Sequence, residues 1–155
     1  MEQDPKDFGV GDKPIDMSVV YGFVPKFEDF SKCINQSKEM VFKFFQLLDT
    51  DRDKIKYLCD DNATLTYIHE EYRGIADMMG FYAKFPNSEH NVEHIKSEKI
   101  KNVVTKKHIG FNIEARGTVT YNGNQSSNLK WFEQRFLLLE IGGYLKIFET
   151  SFKYV

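Results

Sequence analysis

The sequence predicts an α+β domain whose helices pack on one face of a curved antiparallel sheet. Three observations carry that prediction. Apolar residues at spacings of three and four are confined to the region before Pro86, and alternating residues fill the region from Asn91 onward. Within that second region Asn122-Gly123 and Gly142-Gly143 sit where tight turns would join neighbouring strands. With 155 residues, 41% hydrophobic and 15% aromatic, the chain has the apolar material for one domain with a core of its own.

Residues 1–26 read as a tail or linker, because they hold Pro5, Pro14 and Pro25, three glycines and scattered charges. Within them, residues 18–24 are β-prone enough to add a strand along a sheet edge. The domain proper is expected over residues 27–155. Its first helix, residues 29–48, is drawn from the face Phe30, Ile34, Ser37, Val41, Phe44, Phe45 and Leu48. A short second helix follows a cap at Asp49 or Thr50, with Ile55, Leu58 and Cys59 facing inward. Asp60-Asp61-Asn62 is expected to break it. A strand over residues 63–69 then puts Leu65 and Tyr67 on one face, and Glu70-Glu71 reads as a polar turn. Gly74 precedes a third helix over residues 75–84, which Pro86 stops. Residues 91–103 and 107–121 form a long hairpin, and strands over 129–140 and 144–155 complete a meander.

The strand at 129–140, LKWFEQRFLLLE, is unusual because neither of its faces is polar. One carries Leu129, Trp131, Leu137 and Leu139, and the other Phe132, Phe136 and Leu138. An antiparallel strand with two apolar faces must be covered twice. The helices supply one cover, and a second protein is the expected other.

A formal charge of −2 argues against a protein whose main task is gripping a nucleic-acid backbone. Lys96, Lys99, Lys101, Lys106 and Lys107 cluster around one hairpin, so nucleic-acid contact is at most auxiliary. No secretory signal or membrane-length apolar run is present, and an intracellular protein without a membrane partner is expected. Cys33 and Cys59, in apolar contexts without CxxC spacing, read as reduced buried thiols. His90 and His94 fall in a strand, where an i, i+4 pair is too widely spaced to chelate one ion. Tyr57, Asp60, Tyr67 and His69 supply donors for a pocket without a spacing diagnostic of acid–base work. No catalytic, cofactor-binding or metal-ligating set is assigned, and a non-enzymatic protein is expected.

Four segments resemble the nuclear transport factor 2 fold over residues 27–155. They are the aromatic first helix ending FFQLLDTDRDKIKYL, the strand DNATLTY with a Gly seven residues after its Tyr, the helix ending FPNSEHNV, and the series GTVTYNGN, FEQRFLLL and YLKIFETSFKY. The resemblance implies a cone of helices on a curved antiparallel sheet. Within that superfamily the chain is most similar to the Nxt-type small subunit of the mRNA export receptor, on Pro86-Asn87-Ser88 before the long hairpin, the Gly-Asn turn, and the pattern Phe132, Gln134, Phe136. The import carrier for Ran in its GDP form uses a Trp-Glu pair where this chain has Tyr67 and Ile68, and acidic residues where it has the Tyr121 turn. Ras-GAP SH3-binding scaffolds share the fold, homodimerise and bind FG-containing peptides. The receptor's own matching domain normally carries a longer insertion near Glu70.

The Nxt-type resemblance implies a heterodimer with an mRNA export receptor through a matching domain, indirect contact with nucleoporins, and shuttling between nucleus and cytoplasm. Trp131, Phe132, Phe136, Leu138, Phe148 and Phe152 are the expected apolar interface, with Gln134, Arg135 and Lys153 as polar pins. The family pairs a basic C-terminal residue, usually Arg, with a receptor carboxylate. Lys153 takes that place here and lacks the bidentate fork of Arg.

Overall fold

A computed structural model describes residues 33–123 and 129–155. The expected tail, the edge strand at 18–24 and the start of the first helix lie outside the described residues. Among the described residues the order is α1 (Ile34–Thr50), a 3-10 helix (Arg52–Leu58), β1 (Cys59–Tyr67), β2 (Glu70–Arg73) and α2 (Ile75–Ala83). Four long strands follow: β3 (Ser88–Lys101), β4 (His108–Tyr121), β5 (Lys130–Ile141) and β6 (Tyr144–Tyr154). They form one six-stranded sheet in the order β2-β1-β6-β5-β4-β3. All pairings are antiparallel except β1 with β6. The expectation of an antiparallel sheet is corrected at that junction. No turn joins β1 to β6, and the long crossover between them leaves a parallel pairing open.

All the helices pack on the same side of the sheet. α1 buries Ser37, Met40, Val41, Phe44, Phe45 and Leu48 at the expected spacing. The Phe44 ring meets Phe136 edge-on at 5.1 Å between centroids, and the Phe45 ring lies 5.5 Å from Phe132. The end of α1 is pinned to β3 by Asp49. Its carboxylate accepts the His90 backbone N–H at 2.7 Å and the Ser88 hydroxyl at 2.8 Å, and it pairs with His90 Nδ1 at 2.7 Å. The His90 ring sits between Phe45 and Phe132 with its side chain 1% exposed. Asp49 or Thr50 was expected to cap the next helix; the Asp49 side chain holds β3 instead, Thr50 Oγ1 donates to the Gln46 carbonyl at 2.6 Å, and Asp51 takes the cap position. Arg52 donates to the carbonyls of Phe85 and Pro86, satisfying acceptors just past the end of α2.

Three local features depart from the pattern read in the sequence. The strand β1 begins at Cys59, so Asp60-Asp61-Asn62 does not separate helix from strand; it occupies an irregularity in the β1–β6 ladder between Cys59 and Thr64. Glu70–Arg73 is a strand paired with β1, not a turn, and the reversal is made at Ile68, whose φ of 63° gave no glycine signal. In β6 the strict alternation of a strand is interrupted, so Tyr144, Phe148, Phe152 and Tyr154 do not share one side. Leu137 faces Glu149 while Leu138 faces Ile147, so Phe148 is the extra residue of a bulge. Parity changes there, and Leu145 and Ile147 are buried before it, Thr150 and Phe152 after it.

Gly117 shows how closely the strands approach beside a second irregularity, between Val92 and His94 of β3. A Cβ at Gly117 would strike the Asn91 carbonyl, so the position requires glycine.

Two consequences are measurable on the isolated chain by urea denaturation. Phe136→Ala should destabilise it by about 3–5 kcal/mol, because the ring is fully enclosed by α1 and the sheet. Asp49→Ala should cost about 1–3 kcal/mol by stranding the buried His90 donors.

Candidate partner-binding sheet face

Since the helices take one side of the sheet, the other side is bare among the described residues. The alternation of β4, β5 and β6 decides which side chains fall on each. Phe132, Gln134, Phe136, Leu138 and Phe152 are buried on the helix side. Gln134 Nε2 donates to Thr150 Oγ1 at 2.8 Å, so even the polar member of this set is satisfied within the chain. The expectation that these five contact a partner is corrected: α1 and α2 already cover them. The bare face carries Trp131, Arg135 and Lys153, and Phe148 sits half-buried at the bulge.

The bare face is not apolar, as the two-faced reading of β5 had suggested. Its centre is a lattice of charges spanning β4, β5 and β6. Arg116 Nη2 donates to Glu133 Oε1 at 2.9 Å, Arg135 Nε donates to Glu133 Oε2 at 2.9 Å, and Lys153 Nζ lies 3.8 Å from Glu133 Oε2. Glu114 closes the lattice, 3.0 Å from Arg116 Nε and 3.2 Å from Arg135 Nη2. The side chain of Glu133 is 3% exposed under these cations, whereas those of Arg116, Arg135 and Lys153 are 53%, 62% and 61% exposed. The hydrogen bond from Arg135, reinforced by Lys153 and Arg116, holds the Glu133 carboxyl below its usual value against the opposing effect of burial. Beside the lattice, a trough of about 470 Å³ runs between Thr64, Thr66, Lys96, Asn112, Glu149 and Ser151. Apolar surface lies toward the two ends of β5, at Leu129 and Trp131, each 48% exposed, and at the partly covered Leu137 and Leu139 with Ile141 beyond them.

A second concavity, of about 490 Å³, lies on the helix side between α2 and the strand ends. Tyr67, Tyr72, Phe81, Phe85, Tyr121 and Tyr154 line it. The hydroxyls of Tyr67, Tyr121 and Tyr154 converge, with oxygens 2.7 Å apart for Tyr121–Tyr154 and 3.2 and 3.3 Å from Tyr67 to Tyr154 and Tyr121. Burial pushes the Tyr67 and Tyr121 phenols up from their ordinary value. Of the four residues considered for acid–base chemistry, Tyr67 alone lines this pocket. Cys33 and Cys59 are buried, and burial pushes the Cys59 thiol up to about 12. His90 is committed to Asp49, and no metal-binding group of side chains occurs among the described residues.

Neither the lattice nor the tyrosine cluster was assembled from sequence. The lattice had a signal, since Glu114 and Arg116 face Arg135 and Glu133 once the β4–β5 register is known. The cluster joins residues 67, 121 and 154 through the β1–β6 pairing, which no local pattern announces.

The depressed value of Glu133 gives a pH test. Its contribution is complete above the unfolded carboxylate value of about 4.3 and disappears as pH falls through the lower folded value. Thermal unfolding followed from neutral pH down to about pH 3 should show a loss of stability that Glu133→Gln lacks in part.

Comparison with known proteins agrees with this architecture. Residues 36–154 match the family model described as the nuclear transport factor 2 (NTF2) domain. An NTF2-related export protein of Caenorhabditis elegans is 24% identical over 129 residues, covering 83% of this chain and 91% of that protein. The structure of nuclear transport factor 2 from Cryptosporidium parvum superposes with a TM-score of 0.68 at 20% identity, over 79% of this chain and 95% of that one. A chain in the yeast deubiquitinase Ubp3 and Bre5 cofactor complex gives 0.64 at 16% identity, over 78% and 95%. A family-model match over this span, on a six-stranded sheet with its helices on one side, means that the chain belongs to the NTF2 domain family.

Proposed function

We propose that this protein is a non-enzymatic subunit that pairs through its bare sheet face with the NTF2-like domain of an mRNA export receptor and supports nuclear RNA export. The observation that carries the reading is the bare face itself: a broad sheet surface with a half-exposed tryptophan and exposed guanidinium groups at its middle. Similarity to the Caenorhabditis elegans export protein supplies the transport context. Trp131 is the apolar anchor, and tryptophan and arginine are the residue types that dominate interface energetics. Arg116 and Arg135 retain free donors beyond those given to Glu133 and Glu114, so a partner carboxylate can join the lattice without breaking it. Lys153 adds a third positive charge as a single point contact. An interface of ordinary size, about 1,600 Å² in total, would extend from Trp131 over the lattice toward Leu137 and Leu139. Contact with nucleoporins would then come through the receptor, and the pair would shuttle between nucleus and cytoplasm.

A second reading, a homodimeric adaptor for FG-type peptides, draws on the tyrosine-lined pocket, whose aromatic walls suit an aromatic side chain. Light scattering after size exclusion separates the two. The first reading expects a stable one-to-one complex with the receptor domain, weakened about thirtyfold by the double change Trp131→Ala with Arg135→Glu, while the variant stays folded. A tight homodimer that ignores the receptor contradicts it and favours the adaptor.

A further inference from the structure

One end of the sheet carries a surface that pairing through the bare face does not use. The β3–β4 turn, residues 102–107, exposes Val103 and Val104 by 82% and 83%, the largest values among the exposed apolar residues. They do not dangle from a slack loop. Asn102 Oδ1 accepts the backbone N–H groups of Val104 and Thr105 at 2.9 and 3.0 Å, the Asn102 N–H donates to the Lys107 carbonyl at 2.8 Å, and the Lys106 N–H donates to the Asn102 carbonyl at 2.9 Å. The turn therefore holds two aliphatic side chains outward in water. Lys99, Lys101, Lys106 and Lys107 flank them, all exposed and, among the described residues, without an ion-pair partner. Residues 96–108 carry five lysines against the single acid Glu98, a formal +4, although the whole chain is −2. The neighbouring β5–β6 turn lies at the same end of the sheet, because Gly110 faces Leu139 and Lys101 faces His108. It adds Ile141 and Tyr144, 37% and 39% exposed, together with Lys146.

We propose that this end of the sheet docks peripherally on an anionic lipid surface, with Val103 and Val104 entering the headgroup boundary and the flanking lysines lying against the negative headgroups. The inference does not rest on the heterodimer reading. Charge complementarity selects an anionic surface, and the side-chain types select lipid over nucleic acid. What separates the two is the tip itself, since neither valine offers a ring on which a base can stack. Aliphatic side chains at the tip gain nothing against a phosphate backbone, whereas they gain by leaving water at an acyl boundary. Such a contact requires no span: no described helix is long and apolar enough to cross a membrane.

The test is co-sedimentation of the full chain with vesicles of phosphatidylcholine alone and of phosphatidylcholine with about one-third phosphatidylserine. Binding to the anionic vesicles alone, weakening with salt, is expected. Lys106→Glu with Lys107→Glu should weaken it by about tenfold or more, each lysine being worth roughly fivefold. Val103→Ser with Val104→Ser, which leaves every charge in place, should also weaken it several-fold. Unchanged thermal midpoints would verify that both variants fold. Failure to bind anionic vesicles at low salt overturns the proposal. So does binding indifferent to the valine change, and capture of a single-stranded RNA oligonucleotide through the same lysines would then mark the turn as a phosphate-backbone site.

Discussion

The structure depends on the contact between α1 and the inner face of β5. Phe44 and Phe45 meet Phe132 and Phe136 with centroids between 5.1 and 5.8 Å apart, and Asp49 locks the end of the helix to β3 through the buried His90. Aromatic pairs in such arrangements contribute beyond the area they bury. Once this side of β5 is committed to α1, the period of a strand sends Trp131, Glu133 and Arg135 to the opposite side. The helix contact thereby defines the face that is left for a partner.

That face solves a problem of solubility and specificity together. A bare apolar sheet would invite indiscriminate association, whereas the centre here is a charge lattice organised on one buried carboxylate. Glu133 fixes the orientation of Arg116 and Arg135 before any partner arrives, so less side-chain entropy is lost on binding. Apolar surface at the two ends of β5 can add affinity, and the lattice between them can choose among partners.

Element types were largely legible in the sequence because they rest on short-range periodicity: the helical face of α1, the alternation of β4 and the stop at Pro86 all appear where they were read. The features missed rest on pairing between distant segments. An unheralded positive φ at Ile68 hides β2, and the Phe148 bulge moves half of β6 to the other side. The nine expected interface residues divided for the same reason. Periodicity separated Trp131 from Phe132 and Phe136 but did not say which set α1 would cover, and the resemblance to a heterodimeric family did not settle it. The lysine excess at the β3–β4 turn was legible in the sequence, but the outward hold on Val103 and Val104 was not.

Trp131 is the only tryptophan in the chain, so a fluorinated tryptophan incorporated there reports on the bare face without interference from the rest of the protein. Fluorine NMR of the labelled chain, recorded alone and with the receptor's NTF2-like domain, tests the central claim directly. The account predicts that the resonance shifts and loses its solvent-isotope sensitivity as the complex forms. A complex that forms with the resonance unmoved and still solvent-exposed would contradict it, because the partner would then be held by another surface.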